Sequence, residues 1–211
     1  MTHALSSWND TPTRAAIVEF VQSIGRDGGQ HFVPAEERVA VFDNDGTLWC
    51  EKPMPIELGF ILRRLAAMAD KDETLRTRQP WQAAYERDYH WLGAAVTKHY
   101  HGDDSDVKVL IGGVIQAFAG WTVEEYVAAS AEFLSETSHL TLQRRFTECI
   151  YAPMVELLRY LEANGFTIYI ASAGDCDFMC SFAEEIYGIP PEWITGSTNA
   201  LRNQADEHGG S

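Results

Sequence analysis

Arg38-Val39-Ala40-Val41-Phe42-Asp43-Asn44-Asp45-Gly46-Thr47-Leu48-Trp49 is the stretch that decides the fold. Residues 38–42 are apolar or β-branched at nearly every position, which predicts a strand buried on both faces, as in parallel sheets. Two carboxylates, Asp43 and Asp45, then stand just past its carboxyl end, where open α/β sheets bind ligands. Burying two like charges so close together is costly unless a cation or a reaction uses them. A hydrolase has such a use. One carboxylate attacks phosphorus, and the other protonates the leaving alkoxide and later takes a proton from water. A divalent cation on the first carboxylate lets two anions approach. Gly46 permits a sharp turn off the strand, and Thr47 supplies a hydroxyl. An EF-hand reading fails: with Gly46 at the sixth loop position, Lys52 stands where a bidentate Glu is needed. A plain surface turn is the bland alternative.

Upstream, Thr11 reads as an N-cap with Pro12 in the first helical turn, and Ala15, Ile17, Val18, Phe20, Val21 and Ile24 form an apolar face. Downstream, residues 55–145 read as helix after helix without a strand signal. One helix carries Ile56 to Met68, a second spans 81–99, a third spans 106–119, and Thr122-Val123-Glu124-Glu125 is a capping box opening a fourth. Strand and helix alternate again after Cys149. A helix opens at Ala152-Pro153 and closes at Asn164-Gly165, a strand covers 166–171, a helix covers 175–187, and 193–195 is a further short strand. The expected fold is therefore α/β. A Rossmann-like parallel sheet core is formed discontinuously by 1–54 and 146–211, with an all-helical cap, 55–145, inserted into it.

The second informative segment is Ile170-Ala171-Ser172-Ala173-Gly174-Asp175. A hydroxyl closes an apolar strand and a helix is expected immediately after, so helix-start amides and the Ser172 hydroxyl are candidates to hold a phosphate. Ordinary strand-to-helix loop chemistry has the same appearance.

Asp-x-Asp-Gly-Thr after a hydrophobic strand, followed by an apolar strand ending in Ser, resembles the first two motifs of the haloacid dehalogenase superfamily. The surroundings of Trp49 and Pro53 and the run 172–190 are similar to its phosphoserine-phosphatase-like branch, whose helical first-class cap sits between these motifs. The resemblance implies that Asp43 is the nucleophile and Asp45 the general acid/base. The Asp43 side chain and the Asp45 main-chain carbonyl would bind Mg²⁺. Gly46 and Thr47, with Ser172, Ala173 and Gly174, would bind the substrate, a small phosphomonoester such as phosphocholine or a related metabolite. An acid at Asp45 is the mark of the phosphatases, because dehalogenases expel halide and need no proton donor. Glu51 is a candidate substrate-facing residue at the cap hinge, or simply a solvated charge.

The resemblance also exposes a gap. The family adds a Lys and a strand ending in an acidic pair after the second motif. All four lysines here (Lys52, Lys71, Lys98, Lys108) precede Ser172, and the tail 202–211 cannot form a buried strand. The chain is therefore expected to be an incomplete core with impaired phosphatase activity, or else a non-catalytic binding protein. Residues 39–42 are expected at a bare sheet edge that invites self-association.

The 211 residues carry 16 Lys and Arg against 31 Asp and Glu, a formal net charge of −15. That balance disfavours nucleic acid and anionic membrane surfaces as partners. No targeting segment opens the chain, and a cytoplasmic location is expected. Cys50, Cys149, Cys176 and Cys180 read as free thiols. Cys176 and Cys180 are one helical turn apart without further ligands nearby. His99 to Asp104 reads as a solvated connection with a helix cap rather than a metal cluster.

Overall fold

The computed structural model describes residues 4–198. In chain order the elements are α1 (Pro12–Gly25), β1 (Val39–Phe42), α2 (Ile56–Lys71), α3 (Trp81–Glu86), α4 (Tyr89–Tyr100), α5 (Ser105–Ala117), α6 (Val123–Glu136), α7 (Ala152–Ala163), β2 (Thr167–Asp175), α8 (Cys176–Cys180), α9 (Ala183–Tyr187) and β3 (Ile194–Ser197). They divide into two compact units, one from the residues up to Leu48 and from Ala152 onward, the other Trp49–Tyr151. The helical unit thus extends beyond 55–145 on both sides. The fold is α/β: a Rossmann-like parallel sheet interrupted by a helical insertion. Among the described residues no helix is long and apolar enough to cross a membrane.

In the sheet unit the strand order is β1-β2-β3, every neighbouring pair parallel. α1 starts where expected, the Thr11 hydroxyl accepting from the Arg14 amide. α7 stops at Gly165, whose φ of +79° lies in the left-handed region. Strand alternation puts Ile168, Ile170 and Ile194 on one buried sheet face. Leu157, Leu158 and Leu161 of α7, and Phe178, Met179, Phe182, Ala183 and Tyr187 of α8 and α9 and their connection, are buried in the same unit.

Two expectations for this unit are corrected. β1 is not buried on both faces: Val39 is 53% and Val41 61% exposed. β1 is an edge strand, with a ladder only to β2 among the described residues, and its alternate side chains have no covering layer. The apolar face of α1 is also narrower than its pattern. Val21 and Ile24 are buried, but Ala15 and Phe20 are exposed and Ile17 and Val18 half-buried.

In the helical unit α2 lies at the core, with Leu62, Leu65 and Ala69 packed among Leu75, Trp81, Ala84, Leu92 and Ala117. Thr122 and Glu125 complete the expected capping box of α6. The helix expected over 81–99 is two. Arg87 adopts φ +58°, and Asp88 caps α4 by accepting from the His90 and Trp91 amides. A carboxylate able to satisfy orphan amides makes the break cheaper than its absence would. The unit closes on itself where Trp49 bridges Ile150 antiparallel and the Cys50 amide donates to the Cys149 carbonyl at 2.9 Å.

Candidate functional site

The register of β1 on β2 pairs Phe42 with Ile170, so Asp43 follows the last β1 pair at the carboxyl end of that strand, while β2 continues beside β3 to Asp175. Exposure then alternates along the chain. Asp43 is exposed, Asn44 is buried at 2%, and Asp45 is half-buried.

The turn after them is built on Asn44. Its carbonyl accepts from the Thr47 amide at 3.1 Å and the Leu48 amide at 2.8 Å. Gly46 sits between them at φ +73°, a conformation a Cβ would strain. The Asn44 amide donates to Asp43 Oδ1 at 2.8 Å and so fixes one oxygen of that carboxylate. The Tyr187 hydroxyl donates to Asn44 Oδ1 at 3.3 Å from the end of α9. Burial holds the Tyr187 phenol protonated well above its ordinary range, and the nearby negative charge of Asp45 adds to this. Neither Asn44 nor Tyr187 is assigned a role by the sequence motifs. The alternation Asp-Asn-Asp signals an inward-facing Asn44, but nothing local signals Tyr187.

The second loop differs from expectation. No helix begins directly after Ser172; β2 continues to Asp175, with an irregular register against β3 between Ala171 and Asp175. α8 then starts at Cys176, and the Asp175 carboxylate caps it by accepting from the Phe178 amide at 3.0 Å. That carboxylate occupies part of the helix start expected to face a phosphate. Burial pushes the Asp175 carboxyl up, the Phe178 amide opposes the shift, and the Asp177 charge adds to it. Ser172 Oγ accepts from the Gly174 amide at 3.2 Å, and a hydroxyl accepting there keeps its proton to donate. The Ala173 carbonyl accepts from Ser197 Oγ at 2.8 Å, tying this loop to β3.

The helix expected over 175–187 is likewise two, α8 and α9. Cys176 and Cys180 sit at the two ends of α8, and burial pushes the Cys180 thiol up to about 12, with Cys176 contributing. A thiol so protonated is a packing group, not a nucleophile. Glu51 belongs to the helical unit and pairs with Lys52 at 3.2 Å. His99 Nδ1 lies 2.8 Å from Asp104 Oδ1, and Asp103 accepts from the Ser105 amide at the start of α5, a solvated connection as expected.

Asp43 and the main-chain carbonyl of Asp45 offer oxygen, the donor a hard divalent cation takes. Among the described residues no group of three or more His, Cys, Asp or Glu side chains is gathered to hold a metal ion. Such a donor set suits Mg²⁺, which keeps several waters and uses one or two carboxylates with substrate oxygens. It does not suit a caged Ca²⁺ or Zn²⁺.

No family model and no curated protein matches the chain. Among solved structures it is similar to a conserved protein of unknown function from Anaerococcus prevotii DSM 20548. That match has a TM-score of 0.48 and 14% identity, over 94% of this chain and 69% of that one. It is also similar to a phosphoserine phosphohydrolase-like protein from Francisella tularensis subsp. tularensis SCHU S4. There the TM-score is 0.38 and the identity 22%, over 82% of this chain and 62% of that one. Likenesses at this level do not fix a family, so the chemical reading rests on the residues themselves.

Proposed function

We propose that this chain is a phosphomonoesterase acting on a small phosphorylated metabolite through an aspartyl-phosphate. The observation that supports the reading is the pair Asp43 and Asp45, which flank a buried Asn44 just past the carboxyl end of β1. The Asp43 carboxylate attacks phosphorus, and the bond to the ester oxygen breaks as that oxygen takes a proton from Asp45. Water then attacks the acyl phosphate, giving up a proton to Asp45, and inorganic phosphate leaves with Asp43 restored. Thr47, whose amide donates to the Asn44 carbonyl, and Ser172 of the neighbouring β2 supply hydroxyls to hold phosphate oxygens. Mg²⁺ held by the Asp43 carboxylate and the Asp45 carbonyl would screen the two anions from each other.

Turnover is expected to be slow. The described cationic side chains of the sheet unit include Arg14, Arg38 and Arg159. Arg14 binds the Ala4 carbonyl, Arg159 pairs with Glu162, and Arg38 binds the Val33 and Asn164 carbonyls at the amino end of β1. None of these contacts brings positive charge to Asp43. A missing electrostatic partner typically costs about a hundred- to thousandfold in rate. Phosphate release from an aryl phosphate with saturating Mg²⁺, compared between the wild type and Asp43→Asn, tests the proposal. Slow release that vanishes in the variant supports it, and equal release from both refutes it.

A second reading, a non-catalytic binding protein, is favoured by one feature. Val39 and Val41 offer an apolar, one-sided ladder edge to another chain. Absence of any Asp43-dependent release would favour it.

A further inference from the structure

We propose that Tyr187 is a positioning residue for the Asp43–Asp45 turn and acts through Asn44; the inference rests on the phosphatase reading above. Tyr187 and Asn44 are 143 positions apart, and both are almost fully buried, at 1% and 2% exposure. At 3.3 Å the hydroxyl-to-amide bond is long, yet no solvent is at hand to replace it. Asn44 is the residue on which the whole turn hangs. Its carbonyl takes the Thr47 and Leu48 amides, and its own amide holds Asp43 Oδ1. Tyr187 holds the side chain of the residue whose main chain makes these bonds, so a shift of the Asn44 backbone would carry Asp43, Asp45 and Thr47 with it.

Tyr187 is itself fixed. Its ring meets Phe182 edge-on at 6.0 Å. The helix bearing it ends at once in Gly188, φ +72°, whose amide donates to the Glu184 carbonyl. A rigid phenol aimed at the one buried polar side chain of the turn is a support that packing alone does not require, because a Phe would fill the same space.

The test is Tyr187→Phe, with Asn44→Leu and the double variant beside it. Circular dichroism is expected to show all three folded. Hydrogen exchange is expected to speed at the Thr47 and Leu48 amides by about tenfold in Tyr187→Phe, with Ile168 and Ile170 in the sheet unchanged. kcat is expected to fall by about tenfold with KM within about twofold, and the double variant to be no worse than Asn44→Leu. Unchanged exchange at Thr47 and Leu48, or a uniform rise throughout the sheet, overturns the proposal. So does a local rise in exchange with kcat unaltered. A wild-type chain without turnover removes the phosphatase reading alone. The exchange measurement then still decides whether Tyr187 holds the turn.

Discussion

At the scale of single residues, Asp43 and Asp45 divide the labour, and the division predicts different losses. Asp43→Asn keeps the shape and removes the attacking charge, so phosphate release should fall by at least about a thousandfold with the circular dichroism spectrum unchanged. Asp45→Asn should cost about a hundred- to ten-thousandfold on alkyl phosphates and much less on aryl phosphates, whose leaving groups need less protonation. A steady-state comparison across leaving groups checks both, and equal losses on the two substrate classes would remove Asp45 as the proton donor. These two residues are legible in the chain because strand-end carboxylates with a following Gly-Thr form a local pattern. The residues that hold them are not legible in the same way. Asn44 carries a weak signal in the alternation, whereas Tyr187, 143 positions away, meets it only through folding.

Among elements, the start of α8 and the anchoring of the amino-terminal segment each turn on one carboxylate. Asp175 caps α8 while burial raises its pKa. With the folded pKa above the unfolded one, its contribution is most favourable below the ordinary value of 3.8 and is lost as pH rises through the folded value. Asp175→Asn should therefore keep the cap and leave stability at neutral pH unchanged or higher, whereas Asp175→Ala should cost about 0.5–2 kcal/mol by chemical denaturation. Glu156 of α7 has the opposite sign. It accepts from the Ser6 and Ser7 amides and from both hydroxyls, and the Ser7 hydroxyl is the leading cause that lowers its pKa to about 2. The tie is complete above the ordinary 4.5 and is lost as pH falls through about 2. Proteolysis of the amino-terminal segment should rise over that window in the wild type, and already be rapid at neutral pH in Glu156→Ala. The element pattern explains why the sequence shows most helices and strands but misplaces their joints. Asp88 caps a helix inside a run whose apolar period continues past it, so that break depends on a side chain choosing the backbone, whereas the joint between α8 and α9 carries no side-chain cap.

For the molecule as a whole, the sheet is the exposed feature. The sequence reads β1 as doubly buried because its four residues are all apolar, yet burial depends on layers supplied by other segments. With Val39 and Val41 open on an edge strand, the protein should self-associate, opposed by its net charge of −15. Light scattering should show association rising with protein concentration and with salt, which screens that repulsion to about 8 Å at physiological ionic strength. Val41→Lys should return the protein to a monomer, and a wild-type monomer at all salt concentrations would contradict the open edge. The question that remains above all of these is whether Asp43 takes up phosphate. Acid-quenched mass spectrometry of the chain mixed with an aryl phosphate and Mg²⁺ tests this most directly. A phosphoryl group on the peptide bearing Asp43, absent from Asp43→Asn, is the expected result. Phosphate release without any phosphoryl group at Asp43 would contradict it.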